Sequence, residues 1–195
     1  AGVPGRILGG LAVAAILGTT VVLTSGLLKE YQVNRLTTYV RQDEAATTDS
    51  DEQARFNLDQ SKAAIGNGGL WGQGLFEGKQ TNGRFVPEQR TDFIFSAVGE
   101  QLGFVGSSML LLALGVIVWR VWRTAQLARD EFGTLLCTGI MVMLVVQIFE
   151  NVGMTMGIMP ITGIPLPLMS YGGSALILTF LSIGLVLSVH MRRFA

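Results

Sequence analysis

The chain has 195 residues, of which 49% are hydrophobic, and its 14 basic and 14 acidic side chains cancel to a formal net charge of zero. A neutral chain has no net charge to draw it towards nucleic acid, so we expect no nucleic-acid partner. The mean hydropathy is +0.47, and the apolar residues are concentrated in a few long uncharged runs.

These uncharged runs predict four membrane helices, because about 20 apolar residues cross the hydrocarbon core of a bilayer. The last run is too long for one helix, and prolines and glycines interrupt its middle. The sequence therefore predicts an all-α polytopic membrane protein with helices at about 7–28, 93–119, 132–156 and 172–190. A long loop at 29–92, a short loop at 120–131 and a Pro/Gly segment at 157–171 connect them.

The positive charges of the short connections predict the orientation. They precede the first span, separate the second from the third and follow the fourth, at Arg6, Arg120, Arg123, Arg129, Arg192 and Arg193. By the positive-inside rule this side is cytoplasmic, so the C-terminus faces inward and both 29–92 and 157–171 face outward. The first run is too long for a signal-peptide core and is predicted to be a span. Because the chain opens on Ala1 directly ahead of that span, we expect a fragment.

The outer loop contains a glycine-rich stretch, QSKAAIGNGGLWGQGLFEGKQTNGRF, at 60–85. Such a stretch is either a flexible connector or a loop whose backbone approaches a phosphate or sugar closely. Trp71 and Phe76 favour an ordered loop, because disordered linkers seldom hold large apolar side chains, and they also suit a membrane-interface anchor.

Asp92 lies where the outer loop meets the second predicted span. One interpretation is structural, with Thr91 or Asp92 as the N-cap of a helix beginning at Phe93. The other is functional, because Glu88, Arg90 and Asp92 concentrate ionisable groups where water meets lipid.

Other polar residues of the spans have milder interpretations. Three interpretations apply to Glu150 and Asn151, near the outer end of the third span. In order of preference they are a contact with lipid headgroups, a contact with a neighbouring helix and substrate binding. His190 is interpreted as an interface residue at the inner end of the fourth span. Ser170 and Ser174 lack a nucleophile-elbow motif, and the histidine is predicted to lie on the other side of the membrane, so serine hydrolysis is excluded.

Three stretches resemble the SEDS family of bacterial cell-wall polymerases, the RodA/FtsW/SpoVE group. They are QSKAAIGNGGLWGQGL at 60–75, VPEQRTDFIFSAVGEQLG at 86–103 and NVGMTMGIMPITGIPLPLMSYGGSALI at 151–177. By this fold-level analogy, family members have roughly ten membrane helices. The resemblance implies that the chain is the C-terminal part of such a fold and is inactive by itself. The segment GMTMGIMPITGIPLP, after FEN, is more similar to the elongation branch (RodA) than to the division branch (FtsW).

The resemblance also implies roles for residues around Asp92. The aspartate of the TDFIF segment is essential for glycan polymerisation in the family, which assigns that role to Asp92. The family usually has a histidine where this chain has Arg90. The pair Glu100/Gln101 receives less weight, because a second acid is common at the position of Gln101.

The implied reaction polymerises lipid II, a lipid-linked disaccharide-pentapeptide, with inversion at the anomeric carbon and release of undecaprenyl pyrophosphate. Asp92 is then the base for the acceptor hydroxyl. The outer-loop cations offset the charge of the leaving group: Lys62, Lys79, Arg84 and Arg90. A divalent cation, magnesium or manganese, is an alternative aid, with Asp92 or Glu88 as its oxygen ligand.

The resemblance further implies a bacterial cytoplasmic (inner) membrane location. The implied partners are membrane lipid, a class B penicillin-binding protein (a transpeptidase) and other proteins of the elongation or division complex. A lipid II transporter and a non-catalytic scaffold for the transpeptidase are the alternatives. Spans one, two and four offer few charges for a pyrophosphate to follow, which weighs against the transporter.

Overall fold

The computed structural model describes residues 9–10, 13–14, 16–18, 20–21, 49–83 and 91–192. Residues 1–45 and 46–195 form two separate units. The described residues of the first unit are helical and exposed, but most of the predicted span at 7–28 lies outside the described residues. The first predicted span therefore stays a prediction.

Five helices make up the described part of the second unit. They are α1 (Asp49–Gly68), α2 (Lys79–Asn82), α3 (Ile94–Gln126), α4 (Glu131–Met156) and α5 (Gly173–Arg192). The described residues contain no strand, and α3, α4 and α5 are each long and apolar enough to cross a membrane. The predicted all-α membrane fold is thus confirmed.

Two elements differ from the predicted boundaries. Helix α1 lies inside the segment predicted as the outer loop, and α3 continues to Gln126, so the connection between α3 and α4 contains only four residues, 127–130. Hydropathy marks where an apolar run ends, but arginine, alanine and glutamine are good helix formers that extend a helix into water. Helix α4 begins after Asp130, whose carboxylate accepts a hydrogen bond from the Gly133 amide.

The membrane helices pack in two apolar clusters. The first cluster joins α3, α4 and α5 around Val121, Cys137 and Val186. The second cluster joins α3 to the Pro/Gly segment through Phe95, Leu114 and Leu166. The second cluster fixes the Pro/Gly segment on the start of α3, which is where Asp92 lies.

Helix α3 is broken at Gly103, which has φ 64° and ψ −165°. The glycine-rich loop completes the hydrogen bonding of the break: the Gln73 and Gly74 amides donate to the carbonyl oxygens of Glu100 and Gln101 at 2.9 and 3.1 Å. The Phe104 and Val105 amides donate back to loop carbonyls, at 2.9 and 3.1 Å. The loop is therefore an ordered partner of α3, which contradicts the flexible connector, while its close approach to a phosphate or sugar stays a prediction.

A buried carboxylate holds the far end of this loop. Glu100 is 0% exposed, and it accepts hydrogen bonds from the Gln80 amide at 2.7 Å and from the Thr81 amide and hydroxyl at 2.8 and 2.6 Å. These donors belong to α2, where the helix dipole favours a negative charge. Trp71 and Phe76 project from the loop and are 80% and 81% exposed, as an interfacial anchor requires.

Candidate functional site

Asp92 lies in the turn that leads into α3. Phe93 occupies the N-cap position of that helix, and no side chain makes a capping hydrogen bond there. The structural interpretation of Asp92 as an N-cap is therefore wrong, because the turn continues past it and the helix begins two residues later, at Ile94. The Asp92 carboxylate therefore takes no part in capping the helix.

The backbone of Asp92 is held from α4. The side-chain amide of Asn151 donates to the Asp92 carbonyl at 2.8 Å and to the Ile164 carbonyl at 2.9 Å. Asn151 is 0% exposed, and both of its described hydrogen bonds go to backbone carbonyls. Its assignment to substrate binding stays a prediction. The second-ranked interpretation, a contact with a neighbouring element, is the one observed.

A second side chain holds the preceding residue. The Ser170 hydroxyl donates to the Thr91 carbonyl at 2.6 Å and accepts from the Leu166 amide at 2.8 Å. Ser170 is 3% exposed, which agrees with the exclusion of a serine nucleophile. Asn151 and Ser170 together fix two consecutive carbonyl groups, so the turn that carries Asp92 is tied to both α4 and the Pro/Gly segment.

The carboxylate of Asp92 lies against Gly163. A Cβ added to Gly163 would lie 3.0 Å from Oδ2 of Asp92, and Gly163 has φ +75°. Both the close approach and the left-handed conformation require glycine. Asp92 is half-buried, and its carboxylate makes no hydrogen bond to the described residues. A carboxylate that is fixed through its backbone but keeps its oxygens unpaired can accept a proton from a substrate hydroxyl.

Lys62 reaches the same end of α4. Its Nζ would lie 2.8 Å from a Cβ on Gly157, the residue that caps the C-terminus of α4. Ser61 beside it is buried and donates to the Thr155 carbonyl at 2.9 Å, which anchors α1 on α4. A cation at a helix C-terminus is favoured by the helix dipole. Lys62 is exposed and thus remains accessible to an anionic group.

The remaining predicted site residues are more scattered. Lys79 is exposed on α2, and Glu150 is half-buried on α4, where a one-residue offset turns it about 100° away from Asn151. Arg84, Glu88 and Arg90 lie outside the described residues. The structure thus places Asp92, Asn151 and Lys62 near the same end of α4, and the functional assignments of all the predicted site residues stay predictions.

The divalent cation predicted from the sequence is not tested by the described residues. Among them, no group of three or more His, Cys, Asp or Glu side chains could hold an ion, and Asp92 supplies one carboxylate where a cation site needs several oxygen ligands. Glu88, the other predicted ligand, lies outside the described residues, so the cation stays a prediction.

Two residues of the site were not predicted from sequence. Ser170 was considered only as a nucleophile, and Gly163 only as a helix breaker. The sequence feature that could have indicated them is a hydroxyl and a glycine in an otherwise apolar Pro/Gly segment. Backbone groups that lie away from water there must find hydrogen-bond partners, which a hydroxyl can supply.

Comparison with known proteins gives consistent results. The family described as cell cycle protein, FtsW/RodA/SpoVE, matches residues 1–194. The peptidoglycan glycosyltransferase MrdB of Escherichia coli K12 is 39% identical over 91% of this chain and 49% of its own length. A probable peptidoglycan glycosyltransferase FtsW of Geobacter metallireducens is 46% identical over 70% of this chain and 36% of its own length. The chain spans about half the length of the curated relatives it matches, or less.

Solved structures agree with the sequence relatives. A chain from a peptidoglycan synthase complex, studied for the structural coordination of polymerization and crosslinking, superposes with a TM-score of 0.72 at 31% identity, covering 97% of this chain and 49% of that chain. An aspartate-to-alanine mutant of the rod shape determining protein RodA of Thermus thermophilus matches at 41% identity with a TM-score of 0.52, covering 55% and 36%. Relatives named RodA or MrdB and relatives named FtsW match at comparable identity. The resemblance predicted from the three sequence stretches is confirmed, and the chain belongs to the FtsW/RodA/SpoVE family of membrane proteins.

Proposed function

We propose that the protein is a peptidoglycan glycosyltransferase that polymerises lipid II, and that Asp92 is its catalytic base. The observation that supports this proposal is the position of the Asp92 carboxylate. Two buried side chains bind the backbone carbonyls of Thr91 and Asp92, while the carboxylate oxygens of Asp92 accept no hydrogen bond from the described residues. The relatives named peptidoglycan glycosyltransferase support the reaction class.

In the proposed reaction, an oxygen of Asp92 takes the proton of the acceptor sugar 4-hydroxyl as that hydroxyl attacks the anomeric carbon of the donor. The new β-1,4 bond forms with inversion, the bond to the pyrophosphate breaks, and undecaprenyl pyrophosphate leaves with the bonding electron pair. A carboxylate is a weak base for an alcohol, so accurate placement must supply much of the acceleration. The contacts from α4 and the Pro/Gly segment would provide that placement.

The departing pyrophosphate needs positive charge on the face opposite the base. Lys62 is one described cation suited to this task, because it lies beside the C-terminus of α4, and Lys79 on α2 is exposed as well. Arg84 and Arg90 are assigned to the same task on chemical grounds, because a guanidinium makes bidentate contacts with phosphate.

The test is polymerisation of purified lipid II by the full-length protein, with the transpeptidase activity of any partner blocked. Asp92→Asn keeps the size of the side chain and the backbone contacts but removes the base, so polymer should be lost while thermal unfolding is unchanged. Asp130→Asn is the matched control, because asparagine is an equally good N-cap for α4, and it should retain activity. Polymer from Asp92→Asn would refute the catalytic assignment, and no polymer from the wild type would favour a transporter or a scaffold.

We also propose the cellular role. The protein would act in the bacterial inner membrane, with the Asp92 end facing outward, together with a class B penicillin-binding protein. The neighbour from a peptidoglycan synthase complex supports such a partnership. The GMTMGIMPITGIPLP segment favours elongation over division. Depletion should then turn rods into spheres, whereas filaments would indicate the division role.

A further inference from the structure

A cavity of about 370 Å³ opens between α3 and α5, at the opposite end of the bundle from Asp92. Its α3 wall includes Val116, Arg120 and Arg123, which recur every three or four residues along one helix face, and Leu127 continues this wall just after the helix ends. Its α5 wall is Ile183, Val186, Leu187 and His190. Neither the predicted catalytic residues nor their supports line this cavity, so it is independent of the proposed function.

The cavity is aliphatic towards the middle of the span and carries its basic side chains at the other end. Val116, Ile117 and Ile183 lie towards the middle, whereas Arg120, Arg123 and His190 lie at the end where Leu127 also lies. No acidic side chain is among the described residues that line it. An occupant that matches both ends must combine a hydrocarbon chain with an anionic group.

Aromatic residues indicate the depth of the basic end in the membrane. Trp119 and Trp122 are 53% and 44% exposed on α3, and tryptophan concentrates at the level of lipid headgroups. The Arg123 guanidinium lies 5.8 Å from the centre of the Trp119 ring, within the range of a cation–π contact. This contact holds the guanidinium near the headgroup layer instead of leaving it free in water.

We propose that this cavity binds an anionic phospholipid of the cytoplasmic leaflet. The phosphate group would contact Arg120 and Arg123, and an acyl chain would lie along Val116, Ile183 and Leu187. Arginine makes bidentate contacts with phosphate oxygens, and basic pockets between membrane helices on the cytoplasmic side are suited to anionic headgroups.

The experiment measures lipid binding by the full-length protein in neutral detergent. Phosphatidylglycerol and phosphatidylcholine with identical acyl chains are titrated separately, and bound lipid is counted by native mass spectrometry. We expect preferential binding of phosphatidylglycerol. Arg120→Gln and Arg123→Gln should each weaken it about fivefold, as expected for one cation near an anionic headgroup.

The connection between α3 and α4 supplies a matched control. Arg129 is exposed and does not line the cavity, so Arg129→Gln removes the same charge from the same side of the membrane. It should change phosphatidylglycerol binding less than about twofold, since charge beyond the contact is screened. Leu187→Phe tests the apolar half: Leu187 is 55% exposed, so the larger ring enters the cavity without disturbing the core, and it should weaken binding with no change in charge.

Each result supports or overturns the proposal. An equal loss in Arg129→Gln would show that the basic surface attracts anionic lipid generally and that the cavity is not a site. Equal binding of both lipids would remove the role of the cations. No effect of Leu187→Phe would mean that the groove holds no acyl chain, which is also the outcome if another segment of the full-length protein fills it.

Discussion

Asn151→Leu tests whether the site depends on the contact between α4 and the Asp92 backbone. Leucine has nearly the same shape as asparagine but donates no hydrogen bonds. The substitution removes the donors to the carbonyls of Asp92 and Ile164, at 2.8 and 2.9 Å. It leaves the Asp92 side chain unchanged, so any loss of activity comes from position.

The cost in stability is expected to be modest. Each carbonyl that loses its donor costs about 1 kcal/mol of stability, the lower end of the range for an unsatisfied buried group. The lower end applies because Asp92 and Ile164 are only half-buried. The Asn151 side-chain oxygen has no hydrogen-bond partner among the described residues, and removing it returns part of that cost. The free energy of unfolding should fall by about 1–2 kcal/mol. In contrast, a displacement of the carboxylate by about 1 Å is expected to slow catalysis about 100-fold.

The assay compares kcat and KM for lipid II polymerisation with the thermal unfolding of the same full-length preparation. The expected pattern is a large fall in kcat, a small change in KM and a small fall in Tm. Ser182→Ala is the control: Ser182 is buried, and its hydroxyl bonds only within α5, to the Leu178 carbonyl at 2.8 Å. It should cost about 1 kcal/mol of stability and leave kcat unchanged.

The reasoning fails if Asn151→Leu loses stability as expected but retains the kcat of the wild type. The contact would then be one more buried hydrogen bond, and the Asp92 turn would be positioned by other contacts. A proportional loss of kcat in Ser182→Ala would also refute it, because the assay would be reporting global stability.

Three further substitutions and one control, Gly115→Ala, test the elements around the site. Glu100→Gln removes the charge from the three hydrogen bonds to α2 and should destabilise the loop by about 2 kcal/mol, seen as faster hydrogen exchange at 79–83; unchanged exchange would contradict this role. Gly103→Ala places a Cβ against the Gly72 amide at a residue with φ +64°, so it should lower Tm sharply. In the control, Gly115→Ala, the added Cβ meets nothing within 4 Å, and the free energy of unfolding should rise by about 0.5–1 kcal/mol. Gly163→Ala pushes on the Asp92 carboxylate and should lower kcat about tenfold or more; a normal kcat would show that the carboxylate tolerates displacement.

The sequence by itself determined the membrane class and the position of Asp92, the proposed base. Long uncharged runs must enter a hydrophobic environment, so hydropathy located the three spans that the structure describes. It also located Asp92 next to a helix start, because a carboxylate at the edge of an apolar run stands out in the hydropathy pattern. Local patterns could not tell whether that carboxylate capped the helix or faced elsewhere.

Only the tertiary structure decided how the site is supported. Asn151 follows Asp92 by 59 residues and Ser170 follows Thr91 by 79, and no periodicity connects positions so far apart. The same holds for the glycine-rich loop, whose carbonyls and amides complete a helix broken at Gly103. The physical reason is that hydropathy and helix propensity are properties of neighbouring residues, whereas buried backbone groups take whichever partner folding brings within about 3 Å.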